Sequence, residues 1–420
     1  MSRKELKVIS VCTSDTSGGA ARAAYRILKS VRQSSVDCRM FVKNKHTKDD
    51  DDVVALDSFV PYNHLYMAFD WLRNKCKNKI QHWRWNRYPE QENDYMSDLR
   101  GTDLHGALKK LDYDVLHLHW INQRFVSIED LPQDKPIIWT LHDSWPFCGV
   151  CHYFFDCVGY QKQCGECPSL HSSINNDLSH VIWKKKKAVY KNLDLHIVCP
   201  SKWLADCARK SSLFGQFPVT VIPNCLDVDV FRPLDEEKKK EKPVVLYGAF
   251  NATTDRRKGF VDLISALHIL EEQGHKDDFE LVVFGANGSD MSMNINIPVN
   301  YVGYVKETEE LVSLYDKASV MVVPSLTENL SCTIMESLSC GTPVVAFNVG
   351  GNGDLIEHQK NGYLARYKDN EDLAAGILWC VENNRSGQLG QAARKSVLNK
   401  YTYRVVGEQY KALYESLSKH

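Results

Sequence analysis

The sequence predicts an α/β protein built from two Rossmann-like halves. Three observations carry that expectation. Short apolar runs alternate with helical or loop stretches along the chain, the pattern of a parallel sheet covered on both faces. These runs fall into two series of similar order. A block of charge, Asp235-Glu236-Glu237-Lys238-Lys239-Lys240-Glu241-Lys242, separates the series and reads as a solvated connector. With 420 residues the chain has length for two domains of about 200 residues each.

The first series is expected to place strands at Leu6–Thr13, Val36–Val42, Tyr113–His119, Pro136–Leu141 and Leu195–Pro200. A helix over Ala20–Val31 follows the first of them, opened by Gly18-Gly19, whose amides can approach a ligand without side-chain obstruction. The second series places strands at Pro243–Gly248, Phe279–Gly285, Val299–Gly303, Ser319–Pro324 and Pro343–Phe347, alternating with helices such as Lys258–Gln273 and Glu307–Lys317. The expected domains are 1–230 and 243–400, with 401–420 forming a last helix.

Charged residues make up 25% of the chain and the net charge is −1, so no overall field recommends a nucleic acid partner. Behind Arg3, Lys4 and Lys7 the apolar run is only Val8–Cys12, far short of a signal-peptide core or a membrane span. Most of the fourteen cysteines are scattered singly through strands and helices, which favours a reducing cytoplasm.

The most informative stretch runs from Val322 to Glu336. A strand empties into a loop that opens a helix, and two glutamates stand eight positions apart. Spacing alone does not separate this from solvent-facing charge, but the setting does. The pair is followed by Gly341-Thr342-Pro343-Val344-Val345, a stop and a further strand. Backbone N–H groups of the loop Asn329-Leu330-Ser331 and the positive end of the helix suit a diphosphate. A carboxylate at Glu336 can accept both hydroxyl protons of a ribose diol, and Glu328 faces the sugar side. Upstream, Arg256-Arg257-Lys258-Gly259 follows a strand end; Arg257 is expected to bind phosphate bidentately and Lys258 as a point charge.

Glu328-x7-Glu336, the Pro324-Ser325 before it, Gly341-Thr342-Pro343-Val344-Val345 after it and Arg256–Phe260 upstream resemble family 4 glycosyltransferases, the retaining enzymes of GT-B fold. The resemblance spans most of the chain and includes Ser17–Arg22, His117-Leu118-His119, Thr140-Leu141-His142-Asp143, Pro200–Trp203, and Ile222–Asp227. It implies two Rossmann-like domains with a cleft between them, a first domain for the acceptor, and a C-terminal helix crossing back to that domain. It implies retaining transfer of a sugar from a nucleotide-sugar donor to a hydroxyl of a glycan or lipid-linked glycan, of the bacterial lipopolysaccharide or capsule kind. It also implies that Gly18 and Gly19 line the catalytic site and that His119 orients and stabilises the donor sugar without covalent attack. No metal is required for catalysis in this reading. The chain departs from the family where many relatives carry the phosphate arginine, six residues before the lysine, because Ala252 stands there. Readings of the same fold as a sugar-nucleotide epimerase or hydrolase, or as a non-catalytic binding module, remain alternatives.

His117 and His119 are expected on opposite faces of their strand, with His117 in the core. His142 and Asp143 are candidates for the acceptor side. Asp227-x-Asp229 imitates the metal-binding pair of the other glycosyltransferase fold, but its position before the connector argues against that role. Cys151, Cys157, Cys164 and Cys167 are candidate ligands of a structural zinc; the alternatives are reduced buried cysteines, transient disulfides or an iron–sulfur cluster, and the spacing fits none of the common cluster templates well. Trp71–Tyr88 is basic and aromatic with no acidic residue, which suits peripheral contact with an anionic membrane at the inner face of the plasma membrane; Lys184–Lys187 extends that patch.

Overall fold

The computed structural model describes residues 6–56, 86–88, 104–109, 111–123, 125–234, 242–249, 251–286 and 294–418. Most of the basic aromatic segment Trp71–Tyr88 and of the charged connector lies outside the described residues. The chain divides into two compact units, Met1–Ile222 with Gly407–His420, and Pro223–Val406.

The first unit is built on β1 (Lys7–Ser14), α1 (Gly19–Gln33), β2 (Asp37–Asn44), β3 (Val53–Ala55), α2 (Leu104–Leu108), β4 (Val115–Leu118), β5 (Ile137–Thr140), α3 (Leu178–Tyr190), β6 (Leu195–Cys199), α4 (Lys202–Lys210) and β7 (Val219–Val221). Its sheet has the order β3-β2-β1-β4-β5-β6-β7 and every pair in it is parallel. The central strands are short and buried from end to end. Their apolar residues Val11, Leu116, Ile137, Trp139 and Ile197 join the core together with Tyr190 and Phe214.

The second unit holds β8 (Val244–Gly248), α5 (Phe260–Glu272), β9 (Glu280–Phe284), β10 (Val299–Gly303), α6 (Thr308–Lys317), β11 (Val320–Val323), α7 (Cys332–Ser339), β12 (Val344–Phe347), α8 (Asn352–Leu355), β13 (Gly362–Ala365), α9 (Asn370–Asn383) and α10 (Gln388–Lys400). Its parallel sheet runs β10-β9-β8-β11-β12-β13. Both faces are covered, one by a core containing Leu263, Leu267 and Ile377, the other by a core containing Ile334, Leu338 and Val397. The last helix, α11 (Tyr403–Leu417), belongs from Gly407 onward to the first unit. There Tyr410 and Tyr414 are fully buried.

In each sheet the strand order reverses once, between β1 and β4 and between β8 and β11. Ligands of open α/β sheets bind beyond the carboxyl ends of strands at such a reversal. That places attention on Ser14–Gly19 and His119 in one unit, and on Gly248 and Pro324–Glu328 in the other.

The division falls at Ile222–Pro223 and not at residue 230, because the intervening residues pack into the second unit. Leu226 and Phe231 lie in its core, and the Arg394 guanidinium donates to the carbonyls of Val228 and Phe231 at 2.8 and 2.6 Å. Asp227 Oδ1 accepts from the amides of Asp229 and Val230, so this pair caps a turn.

Candidate functional site

One candidate site is assembled at the β8–β11 reversal. A cavity there is lined by Tyr247, Gly248, Ala249, Lys258, Val322, Val323, Pro324, Ser325, Glu328, Ser331 and Thr333. Two loops build it. Arg256–Lys258 forms a single 3₁₀ turn capped by Asp255, and Gly259 closes it in the left-handed conformation at φ 68°. A Cβ at Gly259 would stand 1.8 Å from the carbonyl oxygen of Pro324, so only glycine lets this turn dock on the second loop. The Leu326 amide then donates to the Arg257 carbonyl at 2.8 Å. Tyr247 fastens this segment by donating its hydroxyl to the carbonyl of Ala252 at 2.6 Å, with the Lys258 carbonyl of the turn 3.3 Å from the same hydroxyl.

The docking brings Lys258 Nζ to 3.3 Å from Glu328 Oε2, with both side chains partly exposed. Glu328 is held through its backbone. Gly350, at φ 56°, packs so closely against the Glu328 carbonyl that a Cβ would come within 1.7 Å of it, and the Gly351 amide donates to that oxygen. Helix α7 starts one turn further on. Ser331 caps it by accepting from the Ile334 amide, and Ser331 and Thr333 stand on the cavity wall. A lysine and a helix N-terminus facing one hollow make an anion site.

Arg257 lies in the same turn, but its guanidinium is engaged by Asp255, with Nε at 3.1 Å and Nη2 at 2.5 Å from the two carboxylate oxygens. The bidentate fork expected for phosphate is thus spent on a neighbouring carboxylate in this conformation. Ala252 is fully buried and belongs to the core. Asn329 and Leu330 complete the loop into α7, with Leu330 buried. Glu336, on the buried side of α7, is only 4% exposed, and its Oε2 accepts from the Tyr315 hydroxyl at 3.1 Å.

In the first unit Gly18 and Gly19 open α1 with no side-chain cap, and a Cβ on either would meet nothing within 4 Å. The space beside these two glycines is therefore open. Near the end of β4 the expectation of opposite faces for His117 and His119 fails. Residues two apart on a strand share a face, and the two rings lie 4.1 Å apart. Both are buried. His117 is bound on each side, by the Tyr414 hydroxyl and by Thr140 Oγ1, both at 2.7 Å. His119 Nδ1 lies 3.0 Å from His142 Nε2, while His119 Nε2 is buried without a hydrogen-bond partner.

Burial pushes all three imidazoles toward the neutral form: His117 down to about 3, His142 to about 4, and His119 well below its usual value, with the neighbouring histidines adding to the effect for His117 and His119. His119 therefore offers a neutral ring nitrogen and no formal charge, which narrows the stabilising role expected of it to hydrogen bonding and orientation.

Asp143 is an internal tie. It accepts from Trp120 Nε1 at 2.7 Å, from His152 Nδ1 at 2.6 Å and from the Trp145 amide at 3.0 Å. Burial opposes its charge, but His152, Trp120 and the Trp145 amide together hold the carboxyl below the usual range. Its oxygens serve the fold, and it anchors the cysteine-rich loop through His152.

That loop does not gather four thiolates. Among the described residues no group of three or more His, Cys, Asp or Glu side chains is arranged to hold a metal ion. In the loop Cys164 Sγ accepts from the Gly149 amide at 3.1 Å, Cys157 Sγ from the Gly159 amide at 3.4 Å, and Cys151 donates to Ser169 Oγ at 3.5 Å. Cys151 and Cys167 are free thiols, and a hydrogen bond between them lowers the Cys167 thiol and raises that of Cys151. The loop packs on the Lys186 side chain of α3. Lys186 is fully buried, lies 3.7 Å over the Trp145 ring, and donates to the carbonyls of Trp145, Cys148 and Gly149 at 2.5, 2.9 and 3.2 Å. Burial draws it down to about 7. Lys186 therefore leaves the expected basic patch, while Lys184 and Lys187 remain exposed.

Sequence reasoning did not single out Tyr247, Tyr315, Thr333 or Gly350-Gly351. The glycine pair directly after the Pro343–Phe347 strand was the legible signal among them.

Comparison with known proteins shows the family and the fold. The family described as Glycosyltransferase Family 4 matches residues 17–230, and that described as Glycosyl transferases group 1 matches residues 232–396. A putative colanic acid biosynthesis glycosyl transferase, WcaC, of Escherichia coli K12 is 25% identical over 60% of this chain and 62% of its own length. An amylovoran biosynthesis glycosyltransferase, AmsK, of Erwinia amylovora is 30% identical over 30% of this chain and 34% of its own. The matched segment thus spans less than two thirds of either relative. Among solved structures, Anabaena Alr3699/HepE in complex with UDP and glucose superposes with a TM-score of 0.61 at 15% identity, covering 98% of this chain and 100% of that one, a likeness of fold.

Proposed function

Because this chain belongs to the family 4 glycosyltransferases and has their GT-B fold, we propose that it transfers a sugar from a nucleotide-sugar donor to a hydroxyl of a cell-surface glycan or lipid-linked glycan, with retention of anomeric configuration. The observation that carries the proposal is the Lys258–Glu328 pair beside the N-terminus of α7, at the strand reversal of the second unit. Charge develops on the departing diphosphate during transfer, and preorganised donors aimed at that charge supply the largest catalytic term. Lys258 and the α7 amides meet it. Glu328 addresses the sugar, and Glu336 accepts from the ribose hydroxyls. In the first unit His119 orients the donor sugar through its neutral ring, and the Gly18-Gly19 amides approach the reacting group. No step in this scheme uses a metal.

The colanic acid and amylovoran relatives support a polysaccharide product. Among the described residues no helix is long and apolar enough to cross a membrane. The basic and aromatic composition of Trp71–Tyr88 is what supports contact with an anionic membrane surface.

The test is incubation with UDP-, GDP- and ADP-sugars and a lipid-linked or polysaccharide acceptor, with the product's anomeric configuration read by NMR. Transfer with the donor's configuration retained, at a rate unchanged by EDTA, is expected. Free sugar as the sole product would indicate a hydrolase, an altered sugar nucleotide an epimerase, and binding without turnover a non-catalytic module.

A further inference from the structure

Glu336 is held by a residue that no motif assigns. Tyr315 lies on α6, is 1% exposed, and donates its hydroxyl to Glu336 Oε2. The tyrosine is itself fixed at both ends. Phe284, ending β9, meets its ring edge-on with centroids 6.3 Å apart and planes at 89°. Thr342 Oγ1 donates to the Tyr315 carbonyl at 2.6 Å, and the Thr342 carbonyl accepts from Ser337 Oγ at 3.0 Å on the helix that carries Glu336. Thr342 thus ties the backbone of the tyrosine's helix to that of the glutamate's helix, which gives the Gly341-Thr342-Pro343 segment a purpose beyond stopping α7.

A glutamate side chain has three rotatable bonds, and a carboxylate that must accept two hydroxyl protons of one diol gains from being held in a single orientation before the ligand arrives. We propose that Tyr315 is a positioning residue for nucleotide recognition: it orients the Glu336 carboxylate toward the ribose hydroxyls without itself touching the nucleotide. The inference rests on the reading of Glu336 as the ribose acceptor.

The experiment is calorimetric titration of wild type and Tyr315→Phe with UDP, GDP and ADP, each paired with its 2′-deoxy counterpart. For the base that binds, wild type is expected to prefer the ribonucleotide by roughly tenfold, as for a hydrogen bond to a charged group. In Tyr315→Phe the preference is expected to shrink to about threefold or less while affinity for the deoxy form holds. Equal weakening of both forms, with the preference intact, would overturn the proposal by showing a merely structural role. A wild type that binds ribo and deoxy forms alike would overturn the reading of Glu336 and the inference with it. Should Tyr315→Phe fail to fold, Thr342→Val, which removes the hydroxyl anchoring Tyr315, is expected to narrow the preference in the same direction, and an unchanged preference there counts against the proposal.

Discussion

Replacing Lys258 with alanine is expected to lower sugar transfer roughly 10²–10³-fold, the range seen when one preorganised electrostatic donor is removed from an active site. The effect should fall mainly on the chemical step, because charge on the diphosphate grows as the glycosidic bond breaks and an ammonium gains most where that charge is greatest. Stability should change little. The Lys258–Glu328 contact is partly exposed at 3.3 Å, and such pairs contribute about 1 kcal/mol or less. The turn that carries Lys258 is held by other means: the Asp255 cap, the Tyr247 hydroxyl and the close approach of Gly259 to Pro324. Steady-state kinetics beside a thermal melt separates the two. A variant retaining wild-type turnover within about threefold would remove Lys258 from the chemistry, and one that fails to fold would make the turn and not the charge its main role.

The second large effect is on acid stability. His117, His119 and His142 are buried and neutral in the native state, with folded values of about 3 for His117 and about 4 for His142, against 6.5 for the free side chain. In the unfolded chain each imidazole takes up a proton as pH falls through about 6.5, while the native state does not. Stability is therefore fully present above that value and is lost progressively below it, until the folded values are reached. His117 and His142 each withdraw about 1 kcal/mol between pH 6.5 and 5.5, and His119 adds to this in the same direction. Urea unfolding across pH 4.5–7.5 should show this slope, and His117→Asn should reduce it by about 1 kcal/mol per pH unit. A flat profile would mean that the imidazoles take up protons in the folded protein as readily as in the unfolded chain.

Much of this organisation is legible in the amino-acid order itself. Strands such as Val320–Val323 and Val344–Phe347 are continuous apolar runs bounded by Pro and Gly, so period and punctuation agree. The three-residue strands Val53–Ala55 and Val219–Val221 are too short to show a period, and both pair at sheet edges. Lys258 and Glu328 were legible because each lies in a motif next to a strand end. What joins them was not: the fit of Gly259 against Pro324 and of Gly350 against the Glu328 carbonyl is a matter of tertiary approach. The place of Arg257 after a strand end and beside Lys258 points to phosphate, yet Asp255 two residues away competes for the same fork. The cysteine spacing between Cys151 and Cys167 resembles a zinc site, but the loop is organised around Lys186. That lysine sits in a run of four, and only the helical period linking it to Ile182, Trp183 and Tyr190 marks it as inward-facing.

The most direct measurement of the central claim is calorimetric titration of UDP, GDP, ADP and their sugar conjugates into wild type and Glu336→Ala. One nucleotide is expected to bind, and the substitution to weaken it by roughly 1.5–3 kcal/mol, as for hydrogen bonds to a charged group. A folded wild type that binds none of them would contradict the assignment of the β8–β11 cavity as a nucleotide-sugar site.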